Sequence, residues 1–181
     1  MAHSARGRSY EVIDDSDLTR LAHLARRDRE RFFEGRPEYR ERLLCVALCQ
    51  GAGLHYVDGV MGAKRPTGVK DFDVWSFFAD APGHRFPADR RNVHVDFGPS
   101  KFGRWPEEGP RFRHFEGRRV DLLMRGLPVS QEADPLEAVR AWLAEGRTES
   151  AKLLATKGVV LIEPREHRGR IIWPLRLDLV E

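Results

Sequence analysis

Two aspartates inside one short run of strand-forming residues constrain this chain more than anything else in it. Gly68-Val69-Lys70-Asp71-Phe72-Asp73-Val74-Trp75-Ser76-Phe77-Phe78 is dominated by Val, Phe and Trp, which suit a pleated, packed surface. Alternation along a strand puts Asp71 and Asp73 on one face, their Cα atoms about 6.5 Å apart at a rise of roughly 3.3 Å per residue. Two carboxylates at that spacing can share a hard cation such as Mg2+ or Mn2+, which take oxygen ligands. The same spacing also suits a half-exposed strand whose acidic face is solvated. Lys70 alternates onto the opposite face and reads as structural.

A second apolar run, Gly117-Arg118-Arg119-Val120-Asp121-Leu122-Leu123-Met124-Arg125, carries one more acid. Three carboxylates on neighbouring strands form a two-metal site for phosphoryl or nucleotidyl transfer. Asp96 competes with Asp121 for the third position. It lies in Val93-His94-Val95-Asp96-Phe97, whose alternation turns Val93, Val95 and Phe97 to the core and His94 and Asp96 away from it. Gly98 and Pro99 follow Asp96 closely, and the run after Asp121 is longer and more apolar, so Asp121 is preferred.

Asp-hydrophobe-Asp on one strand and a lone Asp on a later one resemble the DNA polymerase beta-like nucleotidyltransferase superfamily. The family's hydrophobe-Gly-Gly/Ser turn has a counterpart in Leu48-Cys49-Gln50-Gly51-Ala52-Gly53. The resemblance covers about residues 43 to 125. It implies catalytic and metal-ligating roles for Asp71, Asp73 and Asp121, with phosphate contacts from Gly51 and Ala52. Two departures accompany it. Ala52 stands where the family has Ser or Gly, so a hydroxyl contact to a triphosphate is missing. The interval from Gly51 to Asp71 is long, with residues 60–67 reading as an inserted loop.

Independently of the resemblance, a glycine such as Gly51 lets backbone amides approach phosphates where a side chain would clash. Asp121, beside an acceptor hydroxyl, is a general-base candidate. Lys64, Arg65, Lys101 and Arg104 fall in loops, where they are either solvated surface or ligands for a triphosphate or nucleic acid. The whole chain has a formal charge of only +3, yet residues 85–125 hold ten Lys or Arg against six Asp or Glu, a net of +4. Such a segment can hold phosphates or nucleic acid, or be a solvated Arg-rich loop. Trp105 within it reads as a loop anchor or a base-stacking platform.

The expected fold is α/β (α+β), a mixed sheet flanked by helices. Residues 1–13 read as a flexible N-terminus and 14–181 as one domain, with a core at about 43–127 and a C-terminal α+β appendage at about 128–181. Asp14 to Asp17 offer caps for a first helix, and Leu18, Leu21, Ala22, Ala25 and Phe32 recur at helical spacing. Gly35 and Pro37 break it, and a second helix is expected from Pro37 through Tyr39 and Leu43. Leu43 to Gln50 fits either a buried helix or a strand. Gly51 and Gly53 read as a turn before a short helix ending at Asp58-Gly59. Asp134-Pro135 starts a later helix that ends at Gly146, and residues 148–157 form another. Residues 159–162 and 170–173 read as two strands.

Cys45 and Cys49 sit in an apolar run without further zinc ligands and are expected to be buried free thiols. No apolar run is long enough to cross a membrane, and Met1 to Ser9 is not followed by a signal core, so a cytoplasmic protein is expected. No His-Glu-x-x-His, P-loop or Gly-x-Ser-x-Gly pattern occurs. Three functional expectations follow. The first is a metal-dependent nucleotidyltransferase moving a nucleoside monophosphate from an NTP to a small-molecule, RNA or protein acceptor. The second is a catalytically inactive module of the same fold. The third is a metal-dependent nuclease, which wants a lysine beside the second acid.

Overall fold

A computed structural model describes residues 7–87 and 92–174. Over these residues the fold is α/β (α+β), with one six-stranded mixed sheet, ordered β3-β4-β2-β1-β5-β6, and four α-helices. The strands are β1 (Leu43–Cys49), β2 (Phe72–Ala79), β3 (Val93–Asp96), β4 (Arg119–Leu127), β5 (Val159–Glu163) and β6 (Ile171–Trp173). The helices are α1 (Asp15–Gly35), α2 (Gln50–Val60), α3 (Pro135–Glu145) and α4 (Glu149–Leu154).

Period-two patterning divides the sheet's apolar side chains between two layers. Trp75, Phe77 and Ala79 of β2 share one cluster with Cys45 and Ala47 of β1, Leu127 of β4, Leu161 of β5, and Val139, Trp142 and Leu154 of α3 and α4. Phe72 and Val74 share the other with Val46, Leu48, Val120, Leu122 and Ile162, covered by Leu18, Leu21, Ala22 and Ala25 of α1. Asp14 and Asp17 form a capping box that fixes where α1 begins. Asp134 caps α3, and Gly146 ends it in the left-handed conformation.

Leu43–Cys49 is a strand, because it lies between β2 and β5 and is antiparallel to both. A run buried on both faces has no helical stripe to display. The helix expected from Pro37 is instead one 3-10 turn at Pro37–Tyr39, after which the chain enters β1. The ring of Tyr39 is fully buried beside Phe32, Phe78 and Phe86, and this aromatic packing outweighs the local helical pattern. No turn separates β1 from α2. Gln50 makes the reversal in one residue at φ 55°, a conformation rare for a non-glycine side chain. Helix α4 is shorter than the expected 148–157 span, ending at Leu154.

The C-terminal third is no appendage: β5 pairs with β1 and extends the same sheet. From Gly7 onward the N-terminal segment is tied down. Ser9 and Val69 exchange backbone hydrogen bonds of 2.9 and 2.7 Å, and Ile13 is buried. The two ring nitrogens of His55 lie 2.6 Å from the Thr67 carbonyl and 2.8 Å from the Glu11 carbonyl, joining this segment and the 61–71 loop to α2. Residues 1–6 of the expected flexible segment lie outside the described residues. Among the described residues, no helix is long and apolar enough to cross a membrane. Cys45 and Cys49 are buried and free, and burial pushes the Cys45 thiol up to about 12.

Candidate active site

β2 and β4 run parallel, with Asp73 level with Asp121. Both point to the face that carries Trp75 and Leu123, and Asp71 precedes Asp73 on that side. The three acids line one cavity of about 300 Å3 with Arg8, Gln50, Gly51, Ala52, Lys70, Arg119 and Lys157. Gly51 and Ala52 reach it because β1 ends opposite Asp73, with Cys49 its cross-strand partner, and α2 starts at the next residue. The first amides of α2 have no partner within the helix and favour negative charge. The Ala52 methyl is buried in the core, so its contribution to the cavity wall brings no polar side-chain group.

Larger cavities among the described residues, of about 610, 490 and 440 Å3, lie elsewhere. None of these is lined by an acid of this cluster, and volume alone assigns no chemistry. The 610 Å3 cavity, bounded by Trp75, Leu123 and Arg125, lies on the same sheet face a few residues beyond Asp73 and Asp121.

Each acid has a distinct electrostatic setting. The Arg119 guanidinium donates to Asp71 Oδ2 at 2.9 Å and to Asp121 Oδ1 at 2.9 Å and Oδ2 at 3.3 Å. It also donates to Glu108 Oε1 at 3.0 Å and lies over the Phe112 ring. His94 Nδ1 lies 2.5 Å from Asp121 Oδ1, since His94 is the β3 partner of Asp121. Asp73 has no hydrogen bond or ion pair among the described residues. Its carboxyl is pushed up to about 7, mainly by burial and then by the charges of Asp71 and Asp121. The neighbouring Cys49 thiol is held well above its ordinary range, first by burial and then by Asp73, so it is an inert buried thiol.

An all-carboxylate oxygen set with one unpartnered member suits a hard divalent ion such as Mg2+ or Mn2+. In the present arrangement Arg119 holds two of the three acids. Among the described residues, no group of three or more His, Cys, Asp or Glu side chains is placed to hold a metal ion.

The other residues singled out from sequence are placed as follows. Asp96 accepts from the backbone amides of Gly98, Glu116 and Gly117 and fastens the 98–117 loop outside the cavity. Gly117 is required there, because a Cβ would collide with the Gly98 carbonyl. Lys101 pairs with Asp14 at 2.8 Å and Asp17 at 3.0 Å, and Arg104 donates to the Arg113 carbonyl. Neither lines the cavity of the acids. Trp105 is a buried loop anchor with Arg118 against its ring. Lys70 does not face away. β2 begins only at Phe72, so strand alternation does not reach Lys70, whose Nζ lies 4.0 Å from Asp71 Oδ2.

Arg8, His94, Arg119 and Lys157 complete the site and were not singled out from sequence. Only the outward orientation of His94 was readable. Lys157 is brought over the cavity by Gly158, whose backbone packs directly on Gly53 of α2. Compared with protein-family models, with curated proteins and with solved structures, the chain has no significant match.

Proposed function

We propose that the protein is a metal-dependent nucleotidyltransferase, moving a nucleoside monophosphate from an NTP to a hydroxyl-bearing acceptor. The observation that carries this reading is the shared cavity: Asp71, Asp73 and Asp121 face the open N-terminus of α2. Acids able to hold a cation and amides able to hold phosphates therefore meet at one point.

A divalent ion held by Asp71, Asp73 and Asp121 would supply charge stabilisation to the transferring phosphoryl group. The chain's own groups do the rest. The Gly51 and Ala52 amides hold phosphate oxygens, with Lys157 and Arg8 adding positive charge at the rim. Asp121, held in place by His94, accepts the proton of the acceptor hydroxyl. The hydroxyl oxygen bonds to the α-phosphorus as the bond to the departing pyrophosphate breaks. The cavity beside Trp75 and Leu123 offers an acceptor room on the side of Asp121.

Arg119 favours a second reading, a binding module in which a permanent internal cation replaces the metal. Lys70 lies beside Asp71, the first acid of the pair, and not beside Asp73 where the nuclease alternative wants its lysine.

Pyrophosphate release from each of the four NTPs with Mg2+, alongside melting temperature, separates these. The transferase reading predicts Mg2+-dependent release that falls more than about a hundredfold in Asp73→Asn while the fold survives. Nucleotide binding without turnover supports the module. Cleavage of nucleic acid without NTP supports the nuclease.

A further inference from the structure

Arg119 occupies the position that a metal ion in this site would need. Its Nη2 and Nε reach Asp71 and Asp121, both at 2.9 Å. A divalent cation bound to those carboxylates would compete with the guanidinium for their charge and, at Asp121, for both oxygens, and two cations held there together repel strongly. Arg119 also has a second half-socket. Glu108 Oε1 takes Nη1 at 3.0 Å, and the Phe112 ring lies 5.1 Å from the guanidinium carbon. Both belong to the loop before β4, outside the acid cluster. The side chain can therefore release the acids and stay anchored.

Resting on the transferase reading, we propose that Arg119 is a resident counter-cation which competes with the divalent ion and withdraws onto Glu108 and Phe112 when the ion enters. In the resting protein it neutralises Asp71 and Asp121, leaving Asp73 as the acid without a hydrogen-bond partner among the described residues. Metal affinity is thereby held low until an incoming triphosphate adds its own oxygens to the set. Arg119 is a positioning residue in this scheme.

The two ends of the socket must act in opposite directions. Removing the guanidinium frees the acids for metal. Removing Glu108 takes away the place to which Arg119 retreats, and this costs the metal-bound state more than the free one. Mn2+ binding without nucleotide, followed by electron paramagnetic resonance of the free ion, reads this directly. Arg119→Met is expected to bind Mn2+ at least about tenfold tighter than the native chain. Arg119→Lys, which keeps the charge but loses the forked contact, falls between. Glu108→Gln binds more weakly than the native chain. Any other order among variants with native melting behaviour overturns the proposal.

A parallel titration with a nonhydrolysable NTP separates the two levels. If the native chain binds Mn2+ with nucleotide but Arg119→Met binds it no tighter, the competition is wrong and the transferase reading stands. If no variant binds Mn2+ even with nucleotide, both fall.

Discussion

Asp73 is a carboxylate in an unfavourable place. Burial and two neighbouring acids push it up to about 7, and no hydrogen bond compensates it among the described residues. An acid whose native pKa exceeds its unfolded value of about 3.9 takes up a proton on folding. Its ionisation therefore opposes the fold. The cost is absent below about pH 4, grows through about pH 7 and is complete above that. Asp73→Asn removes it. In chelator, this variant should melt several degrees higher at about pH 8 and nearly unchanged at about pH 4. Thermal melts at the two pH values check this, and equal shifts at both would mean that charge is not the cause. Residues that destabilise a fold in this way are characteristic of functional sites.

At the scale of elements, the run that places Asp71 near Asp73 was legible, although β2 itself begins only at Phe72, between them. That Asp121 shares their cavity does not follow from alternation within one strand, because its level with Asp73 depends on register, which is set by packing across β2 and β4. Arg119 was therefore invisible as a partner, although it lies two residues from Asp121. Lys70 failed for a related reason, since β2 starts only two residues after it. Leu43–Cys49 was ambiguous because a fully buried run carries no periodic signal. Lys157 could not be found at all, for it depends on the contact between Gly53 and Gly158.

That contact sets the distance from α2 to the start of β5. A Cβ on Gly158 would lie 2.6 Å from the Gly53 carbonyl carbon and from the Leu54 nitrogen. Both are backbone atoms with no rotamer to yield. Gly158→Ala should cost roughly 1–3 kcal/mol by overpacking. It should also weaken nucleotide binding, because Lys157 and the α2 amides are pushed apart. Denaturant unfolding with nucleotide titration measures both, and a neutral substitution would show that the approach is not required.

Over the whole molecule, one sheet positions the acid cluster and the remaining elements hold it in place. The mixed sheet and its flanking helices matched expectation, whereas the C-terminal third joined the sheet rather than standing apart. Several cations of the basic segment 85–125 are engaged within the protein in its described part. Lys101 pairs with α1, and Arg118 is buried, donating to the Phe102 and Gly7 carbonyls. Arg119 sits among the acids. Charge counted along a sequence does not distinguish cations that face solvent from those that tie loops together. The central claim is that three acids and a helix N-terminus form one nucleotide–metal site. A crystal structure of the full chain with Mn2+ and a nonhydrolysable NTP, located by anomalous scattering, tests it most directly. The account predicts manganese held by Asp71, Asp73 and Asp121, phosphates against the Gly51 and Ala52 amides and Lys157, and Arg119 turned onto Glu108. Nucleotide bound elsewhere, with Arg119 still bridging Asp71 and Asp121, would contradict it.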